Sequence, residues 1–517
     1  MKRKFLCGAV AMAFAGLASA LSAGPLDSAW LKGTTDRNPL SYKPGEEMVF
    51  TIAPMGIEGD IPAGEYDLVW KKTDDFGATE SGKVPFTKTP FVYKTRIGKP
   101  GFVRLQAHVA DKTGKRYEKK FDGDAATPEG KRAMNAFERA PKKIFFDGGA
   151  GADVASLRDN AEPDDFDAFW AGQFARLDKV PVKADLIETK SGNPKTRMYA
   201  VRIDCAGLRP VTGYLSIPKD VENGAKYPCR LETHGYSGDS CVHARPQWKP
   251  HDEIVLNINA HGLKLAEFGA TEADTKALRT EIRSNGKRYA FDPVQNEDPE
   301  TAYFNGMVLR VKRALQYLKT LDGWNGKDLR ANGGSQAGLQ TIWAAACGEG
   351  VTLANTVAIW CCDMETNASR AERKASGDGW YVPWTPSMGY YDAVNWAKRI
   401  PQSCRTNIMR AGLGDYTCPP RGLAKLYNNI KGDKSIKWVQ GSTHGYRPPD
   451  YEGRDFETQE RAEDPAGDRP PETGAFGLRP SECGSHSFAG SRIHSVFSPF
   501  AGSFRFPAIT AGIYGII

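Results

Sequence analysis

The segment Asp328-Leu329-Arg330-Ala331-Asn332-Gly333-Gly334-Ser335-Gln336-Ala337-Gly338 places a serine among small residues, just ahead of an apolar stretch with Leu339, Ile342, Trp343 and Ala346 at helical spacing. A serine on a sharp strand-to-helix turn can act as a nucleophile, and small neighbours let the two elements approach closely. Gly333, Gly334, Ala337 and Gly338 supply that smallness; the pattern is G-x-S-x-A, with alanine where the commoner form has glycine. A serine hydroxyl is a weak nucleophile until a base takes its proton, and that base needs a third group to fix its tautomer. On a strand-turn-helix scaffold the chain order is serine, acid, histidine. Only His444, His486 and His494 follow Ser335, and the last two lie in a stretch with no sustained period. This leaves His444, in the loop Gly441-Ser442-Thr443-His444-Gly445 after the strand-like Ile436 to Val439. Asp363, Asp378, Asp392, Asp415 and Asp433 lie between serine and histidine, and Asp415 alone directly follows a strand-like run, Thr406 to Leu413. Loops at the carboxyl ends of strands are where an open α/β sheet assembles its site.

Acyl transfer through such a serine also needs donors preorganised for an oxyanion. One is expected from the backbone N–H of Gln336, at the start of the helix after the nucleophile; the other from the loop His234-Gly235-Tyr236, for which the Tyr236 backbone N–H is nominated. His234 precedes Ser335, so it is read as a structural loop residue rather than the base. No CxxC pair and no His and Cys cluster at ligand spacing occurs, so neither a metal nor a cofactor is expected.

Positioning these groups requires strands alternating with helices, and that pattern begins after Gly148, Gly149 and Gly151. Asp165 is placed to cap a helix with Phe166, Phe169, Trp170, Phe174 and Leu177 on its stripe. A second helix is predicted from about Ala302 to Lys319, with Phe304, Val308, Val311, Leu315 and Leu318 on one face. From about Trp30 to Phe146 the chain instead reads as short strands, among them Met48 to Ile52, Tyr66 to Trp70 and Val103 to Val109. In the last of these, Val103, Leu105, Ala107 and Val109 alternate with Arg104, Gln106 and His108, the period of a strand with one buried face. The expected fold is thus α/β: a mostly parallel sheet with flanking helices over residues 150–450, preceded by a small Ig-like β-sandwich over residues 25–146. Beyond about Asp450 the patterning fails, and residues 451–517 are expected to be disordered or foreign to the fold.

The whole chain has 517 residues, more than the roughly 250 to 300 that one core usually serves. Its 69 Lys and Arg against 62 Asp and Glu give +7, spread without a long basic run, so no nucleic-acid partner is implied. Residues 1–20 have the form of a secretory signal: basic Lys2, Arg3 and Lys4, apolar Phe5 to Leu17, then Ala18, Ser19 and Ala20. Cleavage after Ala20 would give a secreted or periplasmic protein with no membrane attachment, the apolar stretch being shorter than the roughly 20 residues a span needs. Nine cysteines would remain, and in an oxidising compartment some disulfides are expected.

Taken together, Asp165-Phe166-Asp167-Ala168-Phe169-Trp170, His234-Gly235-Tyr236, Gly333-Gly334-Ser335-Gln336, Gly412-Leu413-Gly414-Asp415-Tyr416-Thr417-Cys418-Pro419-Pro420 and His444 resemble the acetyl xylan esterase and cephalosporin C deacetylase family of carbohydrate esterases. The resemblance runs from Pro163 to Pro448. It implies an α/β-hydrolase fold, a triad of Ser335, Asp415 and His444, an oxyanion hole from Tyr236 and Gln336, and no metal. It further implies removal of acetyl groups from xylan fragments and similar small esters. The family's compact hexamer suggests a homo-oligomer, although an added leading domain could block its interfaces. Ala337 in place of glycine, the β-rich leader and the tail depart from the family pattern.

The same triad would also serve a peptidase, a lipase or an esterase for bulkier acyl groups such as ferulate, because fold does not settle substrate. A polysaccharide-binding protein with an inert hydrolase domain is the alternative from another class.

Overall fold

The computed structural model describes residues 26–121, 126–139, 141–237, 251–369, 380–451 and 456–457. The expected signal and nearly all of the expected tail lie outside the described residues.

Strands β1 (Trp30–Thr35), β2 (Met48–Met55), β3 (Tyr66–Asp74), β4 (Thr79–Pro85), β5 (Phe91–Thr95), β6 (Gly101–Asp111) and β7 (Phe145–Ala152) open the chain. They form two antiparallel sheets, a three-stranded one in the order β1-β2-β5 and a four-stranded one in the order β4-β3-β6-β7. One apolar cluster fills the space they share, with Leu31, Phe50 and Ile52 from the first sheet and Leu68, Val103, Leu105 and Phe146 from the second. The alternation read along β6 is present, since Val103, Leu105, Ala107 and Val109 are buried and Arg104, Gln106 and His108 only partly so. The glycines of 148–151 belong to β7, which pairs with β6 throughout, from Phe145 against His108 to Ala152 against Gly101. A helix at Pro128–Arg139 interrupts the strands, and sequence reading missed it because its charged composition carries little apolar signal.

Strands β8 (Ala184–Thr189), β9 (Thr196–Ile203), β10 (Val211–Pro218), β11 (Tyr227–Glu232), β12 (Ile254–Ile258), β13 (Trp324–Ser335), β14 (Leu353–Ile359), β15 (Arg405–Gly412), β16 (Lys434–Val439) and β17 (Phe456–Glu457) make one ten-stranded sheet. Its order is β17-β16-β15-β14-β13-β11-β12-β10-β9-β8. Pairing is parallel from β12 through β11, β13, β14 and β15 to β16, and antiparallel at both margins. This is the mixed, mostly parallel α/β sheet expected.

The helix predicted near 302–319 is observed at Tyr303–Leu318, its apolar stripe buried, and even Arg310, Lys312 and Arg313 are buried with it. Those cations are not stranded: Arg310 donates to the Ala260 carbonyl, Arg313 to those of Leu177 and Val180, and Lys312 pairs with Glu349. Phe304, Trp343, Trp396 and Trp438 are fully buried around this sheet, each contributing on the order of 2–3 kcal/mol by leaving water. Asp165 does stand at the N-cap of the helix Phe166–Asp178, but its side chain makes no capping bond there and instead accepts from the Tyr390 hydroxyl. Among the described residues no helix is long and apolar enough to cross a membrane. Of the cysteines among the described residues, Cys205, Cys229, Cys347 and Cys404 are free thiols, so the expected disulfides do not involve these four.

Candidate active site

β13 ends at Ser335 and the helix Gln336–Ala346 begins at the next residue. Ser335 has φ 60° and ψ −123°, a conformation that costs a side-chain-bearing residue on the order of 1–3 kcal/mol. Such a turn lifts the hydroxyl off the strand axis, and the buried helix behind it holds the strain in place. Gly333 explains how alanine is tolerated at 337, because a Cβ at 333 would lie 2.6 Å from the Ala337 Cβ and 2.5 Å from its carbonyl oxygen. The methyl group missing at one position makes room for the one present at the other.

The structure brings together the three side chains singled out by type and order. His444 Nε2 is 3.1 Å from Ser335 Oγ, and His444 Nδ1 is 3.0 Å from Asp415 Oδ2. Asp415 is fully buried, and its other oxygen accepts from the backbone N–H groups of Thr417 and Cys418 at 3.1 and 3.0 Å. The carboxylate is thus fixed by its own turn before it meets the imidazole. Arg410, on β15, fixes the other loop: its guanidinium donates to Ser442 Oγ at 3.1 Å, to the Thr443 carbonyl at 3.0 Å and to the His444 carbonyl at 3.4 Å. Burial lowers the Arg410 pKa from its ordinary value. Sequence reading missed this residue, because nothing local distinguishes an arginine that will face a loop 33 residues later.

Asp415, Cys418 and His444 also gather a carboxylate, a thiol and an imidazole within 4.8 Å, a donor set a soft cation could use. Two of the three donors already pair with each other through the Asp415–His444 contact.

Tyr236 and Gln336, nominated for their backbone N–H groups, are joined through Tyr289. The Tyr236 ring stacks on the Tyr289 ring at 4.0 Å with 8° between planes, and its hydroxyl donates to the Tyr289 carbonyl at 2.8 Å. The Tyr289 hydroxyl donates in turn to Gln336 Oε1 at 2.8 Å. Burial raises the pKa of both phenols, which keeps them protonated as donors. His234 turns to Asn257, with Nε2 at 2.5 Å from Oδ1, the structural loop role expected for it. His261, buried nearby, holds the same loop through the Ser237 carbonyl at 2.7 Å.

An aromatic wall stands beside this loop. Tyr236 meets Trp380, Trp360 and Phe291 edge-on at 5.1, 5.5 and 5.9 Å, and the Arg288 guanidinium lies over both Phe291 and Trp380 at 4.4 and 4.5 Å. Trp360 adjoins the nucleophile, its backbone N–H donating to the Ser335 carbonyl at 3.1 Å. Trp380 is 40% exposed, unusual for so large a ring. A cavity of about 200 Å³ opens here, lined by Tyr236, Arg279, Ile282, Arg283, Arg288 and Tyr289. The signal available in the sequence was the density of rings in Trp380-Tyr381-Val382-Pro383-Trp384.

A serine on a strained strand-to-helix turn of a mostly parallel sheet, with acid and histidine following on later loops, defines the α/β-hydrolase class. The acetyl xylan esterase (AXE1) family matches residues 156–374 and 384–458, more than half of the chain, and the chain belongs to that family. It is 29% identical over 287 residues to acetyl esterase Axe7A of Xylanibacter ruminicola, a match covering 53% of this chain and 61% of that protein. The chain thus spans less than two thirds of that relative's length. Among solved structures it is similar to an acetyl xylan esterase from Paenibacillus sp. R4, with TM-score 0.46 and 23% identity over 56% of this chain and 93% of that one. It is likewise similar to acetyl xylan esterase 1 from Thermoanaerobacterium sp. JW/SL YS485, with TM-score 0.47 and 19% identity over 58% and 94%.

Proposed function

We propose that this chain is an exported serine esterase that removes acetyl groups from acetylated xylan or xylo-oligosaccharides through an acyl-enzyme. Ser335 Oγ attacks the acetyl carbonyl carbon while His444 Nε2 takes its proton, and Asp415 holds the imidazole in the tautomer with Nδ1–H facing the carboxylate. The oxyanion is received by the backbone N–H groups of Gln336 and Tyr236. His444 then passes the proton to the departing sugar oxygen, leaving acetyl-Ser335. Water attacks that ester, His444 again taking a proton and returning it to Ser335 as acetate leaves. No step calls for a metal.

The observation that carries this reading is the unbroken relay of 3.1 and 3.0 Å from hydroxyl through imidazole to a buried carboxylate. The sugar-facing part rests on the exposed Trp380 ring and its aromatic neighbours, a surface suited to stacking a sugar ring. Export rests on the form of residues 1–20. The two antiparallel sheets of the leading residues support the Ig-like reading of that region.

Acetate release from acetylated xylo-oligosaccharides, compared between the wild type and Ser335→Ala, tests the proposal. Release by the wild type alone supports it; release by both would remove Ser335 from the role. A series of nitrophenyl esters from acetate to butyrate and ferulate separates a small acyl pocket from a large one.

A further inference from the structure

The family match starts at residue 156, so all seven leading strands lie ahead of it. They nevertheless reach the turn that carries Asp415. Arg104 on β6 reaches diagonally to Asp147 on β7, which stands opposite Gln106, with Nε and Nη2 donating to the two carboxylate oxygens at 2.8 and 2.6 Å. Gln106 adds a third donor to Asp147 at 3.0 Å. A bidentate pair fixes the plane of a guanidinium as well as its place. That plane lies over the ring of Tyr416, 4.0 Å from its centroid, and Tyr416 is the residue after Asp415.

The residue before Asp415 is gripped from the same strand. A Cβ on Gly414 would lie 1.9 Å from the Asp147 carbonyl oxygen, so this turn can approach β7 only as glycine. The loop that carries the histidine is tied there too. Gln440, which directly follows β16, accepts from the Gly149 N–H at 2.9 Å and donates to the Gly149 carbonyl at 2.8 Å. Burial pushes the Asp147 carboxyl above its ordinary pKa, Arg104 opposes that rise, and the nearby charge of Asp415 adds to it. A buried carboxylate that feels the charge of Asp415 and is neutralised by an arginine of its own leading sheet is a costly arrangement for a surface appendage. It is intelligible where the position of the second carboxylate matters.

We propose that the leading β strands are a working part of the active site: Arg104 and Asp147 are positioning residues that hold the Gly414–Tyr416 turn and so set the Asp415 carboxylate against His444. This rests on the triad reading above and extends it, because the part of the chain outside the family match then governs turnover rather than attachment to a polysaccharide.

The test uses the full chain, with Arg104→Met to remove the charge and keep the stem, and Tyr416→Leu to remove the ring and leave the ion pair. Active sites are counted by exhaustive labelling of Ser335 with a fluorophosphonate, and hydrolysis of p-nitrophenyl acetate is expressed per labelled site. Misplacing a reacting group by about 1 Å costs on the order of 100-fold, so kcat per site should fall by about that factor while KM stays within about twofold. A role confined to holding the fold together would reduce the number of labelled sites or the melting temperature and leave kcat per site unchanged; that result overturns the proposal. If Arg104→Met fails to fold, Tyr416→Leu decides by the same criterion. A wild type inactive on the ester, or an active Ser335→Ala, is a different failure and sinks the triad reading itself.

Discussion

Replacing Asp415 by asparagine exchanges one oxygen for an NH2 group with almost no change of volume, yet the surroundings dictate which way the amide must sit. Asp415 Oδ1 accepts from two backbone N–H groups, of Thr417 and Cys418, in a fully buried site. Turning the NH2 group toward them would leave both donors unpaired, at about 1–3 kcal/mol each, so that orientation is held to a few per cent at most. The carbonyl oxygen therefore stays with the turn, and the NH2 group faces His444 Nδ1 across the present 3.0 Å contact. The imidazole answers by accepting at Nδ1 and carrying its proton on Nε2, where it meets Ser335 as a donor instead of a base. The expected loss of kcat on p-nitrophenyl acetate is at least 100-fold and approaches 10⁴, about 5 kcal/mol of transition-state stabilisation. KM should change little, and because the turn keeps its hydrogen bonds the melting temperature should stay within a few degrees. An asparagine variant that retains a tenth or more of wild-type kcat would refute the reasoning, since the relay would then not depend on the tautomer Asp415 selects.

Ser335→Gly should be inactive yet more stable than wild type by roughly 1 kcal/mol, because glycine occupies φ 60° without strain; chemical denaturation checks this, and a loss of stability would mean the turn is not strained. Trp380→Ala should raise KM for acetylated xylo-oligosaccharides by about five- to tenfold, the loss of a ring contact of roughly 1 kcal/mol, and leave KM for p-nitrophenyl acetate nearly unchanged. An equal rise for both substrates would assign Trp380 to the acyl pocket instead. Burial, with help from Arg116, lowers the His108 pKa from 6.5 to about 4. The fold therefore holds this imidazole neutral: its contribution is fully present above about pH 6.5 and is lost as pH falls toward about 4. Discounted for partial exposure, that is on the order of 1–2 kcal/mol, so His108→Gln should show a flatter decline of stability over this window.

The three relay residues were legible because each carries a local sign of its place: Ser335 among small residues, Asp415 straight after an apolar strand, His444 in a loop after another. Chain order did the rest, since only one patterned stretch after Ser335 contains a histidine. What supports them was not legible. Arg410 faces its loop only because β15 and β16 pair in parallel, and the approach of Arg104 to Tyr416 exists only once two sheets have met. Neither encounter leaves a period or a motif. The glycines after which the pattern changes carry no such sign either: they lie in β7, where a Cβ on Gly149 would stand 2.5 Å from the Val103 carbonyl oxygen. Likewise an oxidising compartment suggested disulfides, yet Cys205, Cys229, Cys347 and Cys404 stand as free thiols, a matter of geometry on which cysteine count is silent.

The division of the site between rigid and less rigid parts follows from where the burial is. Every residue from Gln336 to Ala345 is buried, as are Asp415 and its neighbours Leu413, Gly414 and Tyr416, so the nucleophile and the acid stand on packed elements that can bear strain and exclude water. Trp380 and Arg288 stand on loops, one of them exposed, where a ring can adjust to what it stacks on. Substitutions behind the relay should therefore act on kcat, because they displace groups that must be in place before the ester arrives. Substitutions in the aromatic wall should act on KM, because that contact is the same before and during reaction. A variant of the wall that lowered kcat alone, with KM fixed, would mean that the rings meet the transition state itself and that the separation drawn from burial is wrong.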